Sequence, residues 1–205
     1  LDGNMLCVDF KGEEVELVGE GDLLIKGEHN VSNALAAAAA ALACGVDAAQ
    51  VREGLVSFKP LEHRLEPCGE IGGVKFVNDS KATNVDATLK ALSAFAPHTA
   101  IFLLGGNDKG TDLDELVEAC DAKCKAVVCF GAAGERFFDA FANAGVKHVR
   151  VEHMEDALDT AISMAQPGDE VVLSPACSSF DEFDSFEHRG KVFKQLVAFR
   201  ASNAR

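Results

Sequence analysis

LEPCGEIGGVKFVNDSKATNVDATLKALSAFAPHTAIFLL, running from Leu65 to Leu104, decides the fold. Two strand-like runs, 65–71 and 74–78, have only Gly72-Gly73 between them, which predicts an antiparallel hairpin. A polar loop follows, then helical spacing over 85–95, then another apolar run at 100–104. Strand, helix, strand is the unit of a parallel sheet, and the pattern continues outward. Further strands are expected at 126–130, 148–151 and 171–173, with helices at 113–120, 135–144, 154–165 and 189–201. The predicted class is α/β: a doubly wound, Rossmann-like, mostly parallel sheet with one antiparallel edge strand. In such sheets ligands bind beyond the carboxyl ends of the strands.

Upstream of Pro60 the pattern is different. Short strand-like runs at 5–10, 15–17 and 23–25 precede an Ala-rich helix over 30–43 that stops at Gly45, and a second helix over 48–57 with Val51, Leu55 and Val56 on one face. Phe58-Lys59-Pro60 reads as a linker. We therefore expect two parts, 1–60 and 61–205. The chain opens Leu1-Asp2-Gly3, in the middle of what reads as a hairpin, so a fragment or processed chain is expected.

Composition narrows the function classes. A hydrophobic fraction of 48% with 25% charged residues is that of an ordinary globular protein, and the longest apolar run is too short to cross a bilayer. The net charge of −14, with no basic stripe, argues against a nucleic-acid partner. Seven cysteines include no CxxC pair, so neither a disulfide framework nor a metal site is expected; buried reduced thiols and a cytosolic setting are.

Three of the loops at strand ends carry unusual chemistry. Asn78-Asp79-Ser80-Lys81-Ala82-Thr83-Asn84 places an acid, a base, hydroxyls and amides at a helix entrance. Thr83 or Asn84 alone could cap that helix. The functional reading is that Asp79 accepts hydrogen bonds from a ribose or other polyol, while Lys81 and the helix N-terminus favour an anion. Gly105-Gly106-Asn107-Asp108-Lys109-Gly110-Thr111 is not a Walker A loop, because Lys109 precedes Gly110 and the glycine spacing is wrong. It suits a glycine turn holding Lys109 toward a carboxylate, or a turn with no further role. Ser174-Pro175-Ala176-Cys177-Ser178-Ser179-Phe180-Asp181 offers hydroxyls and backbone N–H groups after a strand and leads to Phe186-Glu187-His188-Arg189-Gly190. A Ser-His-Asp hydrolase is the rival reading, but no G-x-S-x-G elbow surrounds its serines, which argues against it. Asn30 and Asn33, three apart at a helix start, share a face and suit an adenine edge or a phosphate, though Asn30 could equally cap. Arg64, where the linker meets the sheet, is suited to clamping a phosphate, or is a surface arginine.

Taken in order, HNxxNAL (His29 to Leu35), His63-Arg64, NDSKATN (Asn78 to Asn84), GGxDKG (Gly105 to Gly110) and SPACSSFDEFxxFExRG (Ser174 to Gly190) resemble the Mur ligases. NDSKATN and SPACSSFD look like the branch of that family that adds D-glutamate. The resemblance implies a cytoplasmic ligase of peptidoglycan synthesis, acting as a monomer on small molecules: ATP with Mg2+, UDP-N-acetylmuramoyl-L-alanine and D-glutamate. It implies that ATP phosphorylates the alanyl carboxylate and the amine of D-glutamate then attacks the acyl phosphate. By motif position, Asn30 and Asn33 would be adenine-side and phosphate-side contacts, Arg64 a phosphate clamp, and Asp79 a ribose ligand. Lys81, Thr83, Lys109, Ser179 and Phe186 would form the D-glutamate pocket, with Lys81 and Arg64 also serving catalysis.

The resemblance also implies that residues 1–60 are the end of a central ATP-binding domain and 61–205 the carboxyl-terminal domain. The family's Walker A loop, metal ligands and uridine-nucleotide domain would lie ahead of Leu1, leaving the chain inactive alone. A non-catalytic Rossmann-like module is the alternative from another class. A Mur ligase or folylpolyglutamate synthase relative with different amino-acid specificity is the alternative within it.

Overall fold

The computed structural model describes residues 5–25, 28–59 and 61–203. The opening Leu1-Asp2-Gly3 and Pro60 of the linker lie outside them. The chain divides into two compact units, Leu1–Pro60 and Leu61–Arg205.

In the first unit, β1 (Met5–Phe10) and β2 (Glu13–Gly19) pair antiparallel. The turn is held by Asp9, whose Oδ1 accepts the Gly12 N–H at 3.1 Å. Helices α1 (Glu28–Ala43) and α2 (Ala48–Ser57) follow, α2 being capped by Asp47, which accepts the Ala49 and Gln50 N–H groups. Leu6, Leu17, Leu23, Ala34, Ala38, Leu42 and Val51 form the core. Two expectations fail here. The run at 23–25 is not a strand: a 3-10 turn, Glu20–Asp22, leads into it, and Leu23 is buried while Leu24 is exposed. Its apolar character serves burial of one side chain, not pairing. Val56 is exposed as well, because it lies about 140° around α2 from the buried Val51 at 100° per residue.

The second unit is a six-stranded sheet in the order β3-β4-β8-β5-β6-β7, with helices on both faces. Along the chain these are β3 (Glu66–Ile71), β4 (Val74–Asn78), α3 (Val85–Leu92), β5 (Ala100–Gly105), α4 (Asp114–Lys123), β6 (Ala126–Phe130), α5 (Gly134–Ala140), β7 (Lys147–Arg150), α6 (Met154–Met164), β8 (Glu170–Ala176) and α7 (Phe186–Asn203). Only β3 runs antiparallel, as the edge partner of β4; every other pair is parallel. The strands alternate cleanly between two cores. Val77, Phe102, Leu104, Val127, Cys129 and Val172 face Leu92, Leu116, Phe137 and Phe141 from α3, α4, α5 and the end of α5. Phe76, Ile101, Leu103, Val128, Val171 and Leu173 face Leu158 and Phe193 from α6 and α7. Burial on both faces is why these strands read as continuous apolar runs.

Strand β8 outruns its expected end at Leu173 because Ser174-Pro175-Ala176 reads as loop. The register on β5 shifts between Leu103 and Gly105, and Ala176, not Pro175, pairs with Gly105. A proline is tolerated where the ladder is irregular. Helix α7 starts at Phe186, not near Arg189, because Ser185 Oγ accepts the His188 N–H at 3.2 Å and opens the helix earlier. The chain leaves β5 toward α4 on one face and leaves its neighbour β8 toward α7 on the other, so the loops beyond these strands part and open a cleft.

Candidate functional site

The loop after β4 is fixed before it reaches any ligand. Asn78 is fully buried; its Oδ1 accepts the Ser80 N–H at 3.1 Å and its amide donates to Glu66 at 3.0 Å and to Nδ1 of the buried His63 at 2.9 Å. With Nδ1 accepting, the His63 proton belongs on Nε2, which finds no partner; the imidazole meets the Phe186 ring in a T-shaped arrangement, centroids 6.0 Å apart. Asp79 is 7% exposed, and its two oxygens accept from the Leu65 N–H at 3.2 Å and the Ser174 hydroxyl at 2.7 Å. Burial raises its pKa from 3.8 to about 6, against the lowering by Ser174, Leu65 and the nearby Arg64 charge. Each carboxylate oxygen keeps a second lone pair, so the group can still accept from a ligand hydroxyl. Asn84, not Thr83, caps α3 through the Ala87 N–H. Thr83 is thereby left free of the capping role.

A cavity of about 440 Å³ lies beyond β4, β5 and β8, lined by Thr83, Asn107, Asp108, Lys109, Ser178, Ser179, Phe180 and Phe186. Thr83, Lys109, Ser179 and Phe186 are thus gathered around one space. Lys81 is exposed above the Phe186 ring, its Nζ 4.9 Å from the centroid, a cation–π arrangement that holds the ammonium at the rim. Ser179 is 1% exposed, and its hydroxyl has no hydrogen-bond partner. A buried unmet hydroxyl costs about 1–3 kcal/mol. Asn107, Asp108, Ser178 and the exposed Phe180 complete the lining and were not expected from sequence. Asn107 and Asp108 stood within a loop read for its lysine alone.

The glycines before Lys109 serve more than a turn. At Gly105 (φ +139°) a Cβ would overlap the Phe130 carbonyl, and at Gly106 (φ +127°) the Ser178 carbonyl. The loop after β5 therefore lies directly on its neighbours, and Asn107 exchanges backbone hydrogen bonds with Ser178 at 2.8 and 3.2 Å. Asp108 forms an ion pair with Arg136, which also donates to the Thr111 carbonyl at 2.5 Å. Cys177 is buried, and desolvation pushes its thiol up to about 12, so it packs and does not react.

Arg64 is exposed beside the buried His63. In the first unit, Asn30 and Asn33 lie in the opening turns of α1; since the helix begins at Glu28, Asn30 does not cap it. Asn33 borders an apolar groove of about 390 Å³ whose other lining is almost wholly aliphatic. Among the described residues no group of three or more His, Cys, Asp or Glu side chains could hold a metal ion, and no helix is long and apolar enough to cross a membrane.

Fold and site together define a doubly wound α/β domain with a cleft, lined by hydroxyls, an amide and a lysine, at its parting strands. Residues 63–177 match the family model described as Mur ligase, glutamate ligase domain, and the chain belongs to the Mur ligase family. It is 47% identical over 200 residues to the UDP-N-acetylmuramoylalanine–D-glutamate ligase of Solibacter usitatus, a match covering 95% of this chain and 44% of that one. It is 45% identical to the enzyme of the same name from Koribacter versatilis, over 92% of this chain and 41% of the relative. The chain therefore spans about two fifths of the length of these relatives. Among solved structures, Mycobacterium tuberculosis folylpolyglutamate synthase complexed with ADP superposes with a TM-score of 0.70 at 18% identity, over 95% of this chain and 45% of that one. UDP-N-acetylmuramate-alanine ligase from Thermotoga maritima gives 0.68 at 19%, over 94% and 41%. At such identities the superpositions establish the shared fold.

Proposed function

We propose that this chain supplies the amino-acid-binding part of an ATP-dependent ligase that adds D-glutamate to UDP-N-acetylmuramoyl-L-alanine. The observation that carries the reading is the cavity between Thr83, Lys109, Ser179 and Phe186. Its lining includes a serine whose buried hydroxyl is unpartnered and an exposed lysine, and a second lysine, Lys81, lies over the Phe186 ring that also lines it. An amino acid with two carboxylates needs such a set: cations for charge, neutral donors for direction. The names of the Solibacter and Koribacter relatives support the same amino acid.

In this reading residues 1–60 close a central ATP-binding domain, and 61–205 form the carboxyl-terminal domain. Asn30 and Asn33 contact the adenine and phosphate sides of ATP, Asp79 a ribose hydroxyl, and Arg64 a phosphate. ATP transfers its terminal phosphoryl group to the alanyl carboxylate and leaves as ADP. The D-glutamate amine, oriented by its carboxylates, then attacks the acyl carbon, the C–N bond forms, and phosphate departs. Lys81 and Arg64 offset the charge of the phosphorylated intermediate. Mg2+ would enter with the nucleotide, carried by its phosphates. The protein works in the cytoplasm as a monomer, and this chain alone is inactive.

The test is phosphate release by the full-length protein with ATP, the uridine nucleotide and a panel of amino acids. Release dependent on D-glutamate is expected. Equal rates with L-glutamate, or dependence on a different amino acid, would refute the assignment.

A further inference from the structure

Arg189 is 0% exposed, an unusual state for a guanidinium. Its Nε donates to Ser80 Oγ at 3.0 Å, Nη2 to the Ser80 and Cys177 carbonyls at 2.9 and 3.0 Å, and Nη1 to the Ser178 carbonyl at 3.2 Å. All four acceptors are neutral. Among the described residues Arg189 forms no ion pair with a carboxylate.

The acceptors belong to different loops. Ser80 lies between Asn78 and Lys81 in the loop after β4, and its hydroxyl passes the connection on by donating to the Phe186 carbonyl at 2.8 Å, at the start of α7. Cys177 and Ser178 belong to the loop after β8. The same Ser178 carbonyl accepts the Asn107 N–H, which ties in the loop carrying Lys109. One planar fork thus fixes all four segments that line the cavity, and no side chain with a single donor could do so. A buried charge without a counter-ion is costly, and if Arg189 only filled space, an apolar residue of similar volume would do it better. Burial lowers its pKa to about 10, so it stays cationic at neutral pH. None of the described carboxylates touches it; Asp181 and Glu182 act on it only from farther off, so its positive charge stands one peptide behind Ser178 and Ser179 with no charged contact partner.

We propose that Arg189 is a positioning residue for the amino-acid substrate: it holds the four segments of the cavity in register, and its positive charge adds to the field that a dicarboxylate meets there. This rests on the dicarboxylate reading above. Arg189 does not touch the ligand; it acts through Ser80, Cys177 and Ser178.

The experiment measures steady-state kinetics of the full-length ligase carrying Arg189→Met, Arg189→Lys or Ser80→Ala, with D-glutamate and the uridine nucleotide varied in turn. Val127→Ala, a core truncation on β6 away from these loops, serves as the stability control, with each melting temperature recorded. For Arg189→Met the D-glutamate KM should rise about tenfold or more while the uridine-nucleotide KM stays within about twofold. Arg189→Lys, which keeps the charge and loses the fork, should fall between. Ser80→Ala should raise the D-glutamate KM severalfold, and it decides the matter if Arg189→Met does not fold. Val127→Ala should leave the ratio of the two constants unchanged at a comparable loss of stability. An unchanged D-glutamate KM in the folded variants, or an equal rise in Val127→Ala, overturns the positioning role alone. Absence of D-glutamate-dependent phosphate release in the unsubstituted ligase overturns the dicarboxylate reading, and the proposal with it.

Discussion

Replacing Asp79 with asparagine should make the protein more stable and bind nucleotide less well. The buried carboxyl has a pKa of about 6 in the folded chain against an ordinary 3.8. The folded state holds that proton more tightly than the unfolded state, so the carboxyl favours folding below pH 3.8, and this advantage is lost as pH rises through about 6. At 1.36 kcal/mol per pH unit the separation amounts to about 3 kcal/mol at neutral pH. The carboxamide fits the same partners. Its oxygen can keep the Leu65 N–H, its nitrogen can donate to Ser174 Oγ, and the Ser174 proton can turn to Thr88 Oγ1, 3.2 Å away. Without tryptophan or tyrosine in the chain, urea unfolding is best followed by far-ultraviolet circular dichroism. The stability difference between Asp79→Asn and the parent should be near zero at the acid end and grow toward about 3 kcal/mol between about pH 4 and pH 8. A variant less stable than the parent at neutral pH, or a difference independent of pH, would show that Asp79 is not destabilised by its burial.

Ser179→Ala should separate stability from binding, since it removes an unmet buried hydroxyl. We expect a melting temperature equal to or above the parent's, with a higher D-glutamate KM; a fall in melting temperature would show that the hydroxyl is satisfied in solution. Lys109→Ala in the full-length ligase should raise the D-glutamate KM roughly tenfold, the low end for a charge-assisted bond because Lys109 is exposed, and leave the uridine-nucleotide KM unchanged. Gly105→Ala should cost about 3 kcal/mol or more in urea unfolding, because the new Cβ meets the Phe130 backbone at a φ that L residues avoid. Normal stability in that variant would mean that the loop can move off β6.

The sheet was legible because a strand buried on both faces must be apolar at every position, as in Ile101-Phe102-Leu103-Leu104. The hairpin was legible from Gly72-Gly73. The candidate site showed itself as polar residues clustered immediately after such strands, since those are the points where a doubly wound sheet opens. Arg189 was different. Its burial is set by carbonyls that converge only once four segments have folded together, and backbone acceptors leave no trace in composition. A faint sign was present in the adjacent Gly190, where a Cβ would overlap the His63 ring, so the first turn of α7 has to lie tight against the sheet. Leu23-Leu24-Ile25 misled for the opposite reason: three apolar residues satisfy a strand pattern, but one buried leucine was all the core required.

The position of β8 has a consequence for how the chain is made. It is the last of this sheet's six strands in chain order, yet it sits in the interior of the sheet, between β4 and β5. A nascent chain that has not reached Glu170 can form the β3-β4 hairpin and the β5-β6-β7 ladder, but the facing edges of β4 and β5 have no partner. Such open apolar edges invite pairing between chains, so the interval before β8 emerges from the ribosome is the one in which this domain is most exposed to aggregation. Its insertion joins the two halves, and α7 follows with Arg189, which hydrogen-bonds to the loops after β4 and β8. The cleft is therefore completed only when α7 has been made.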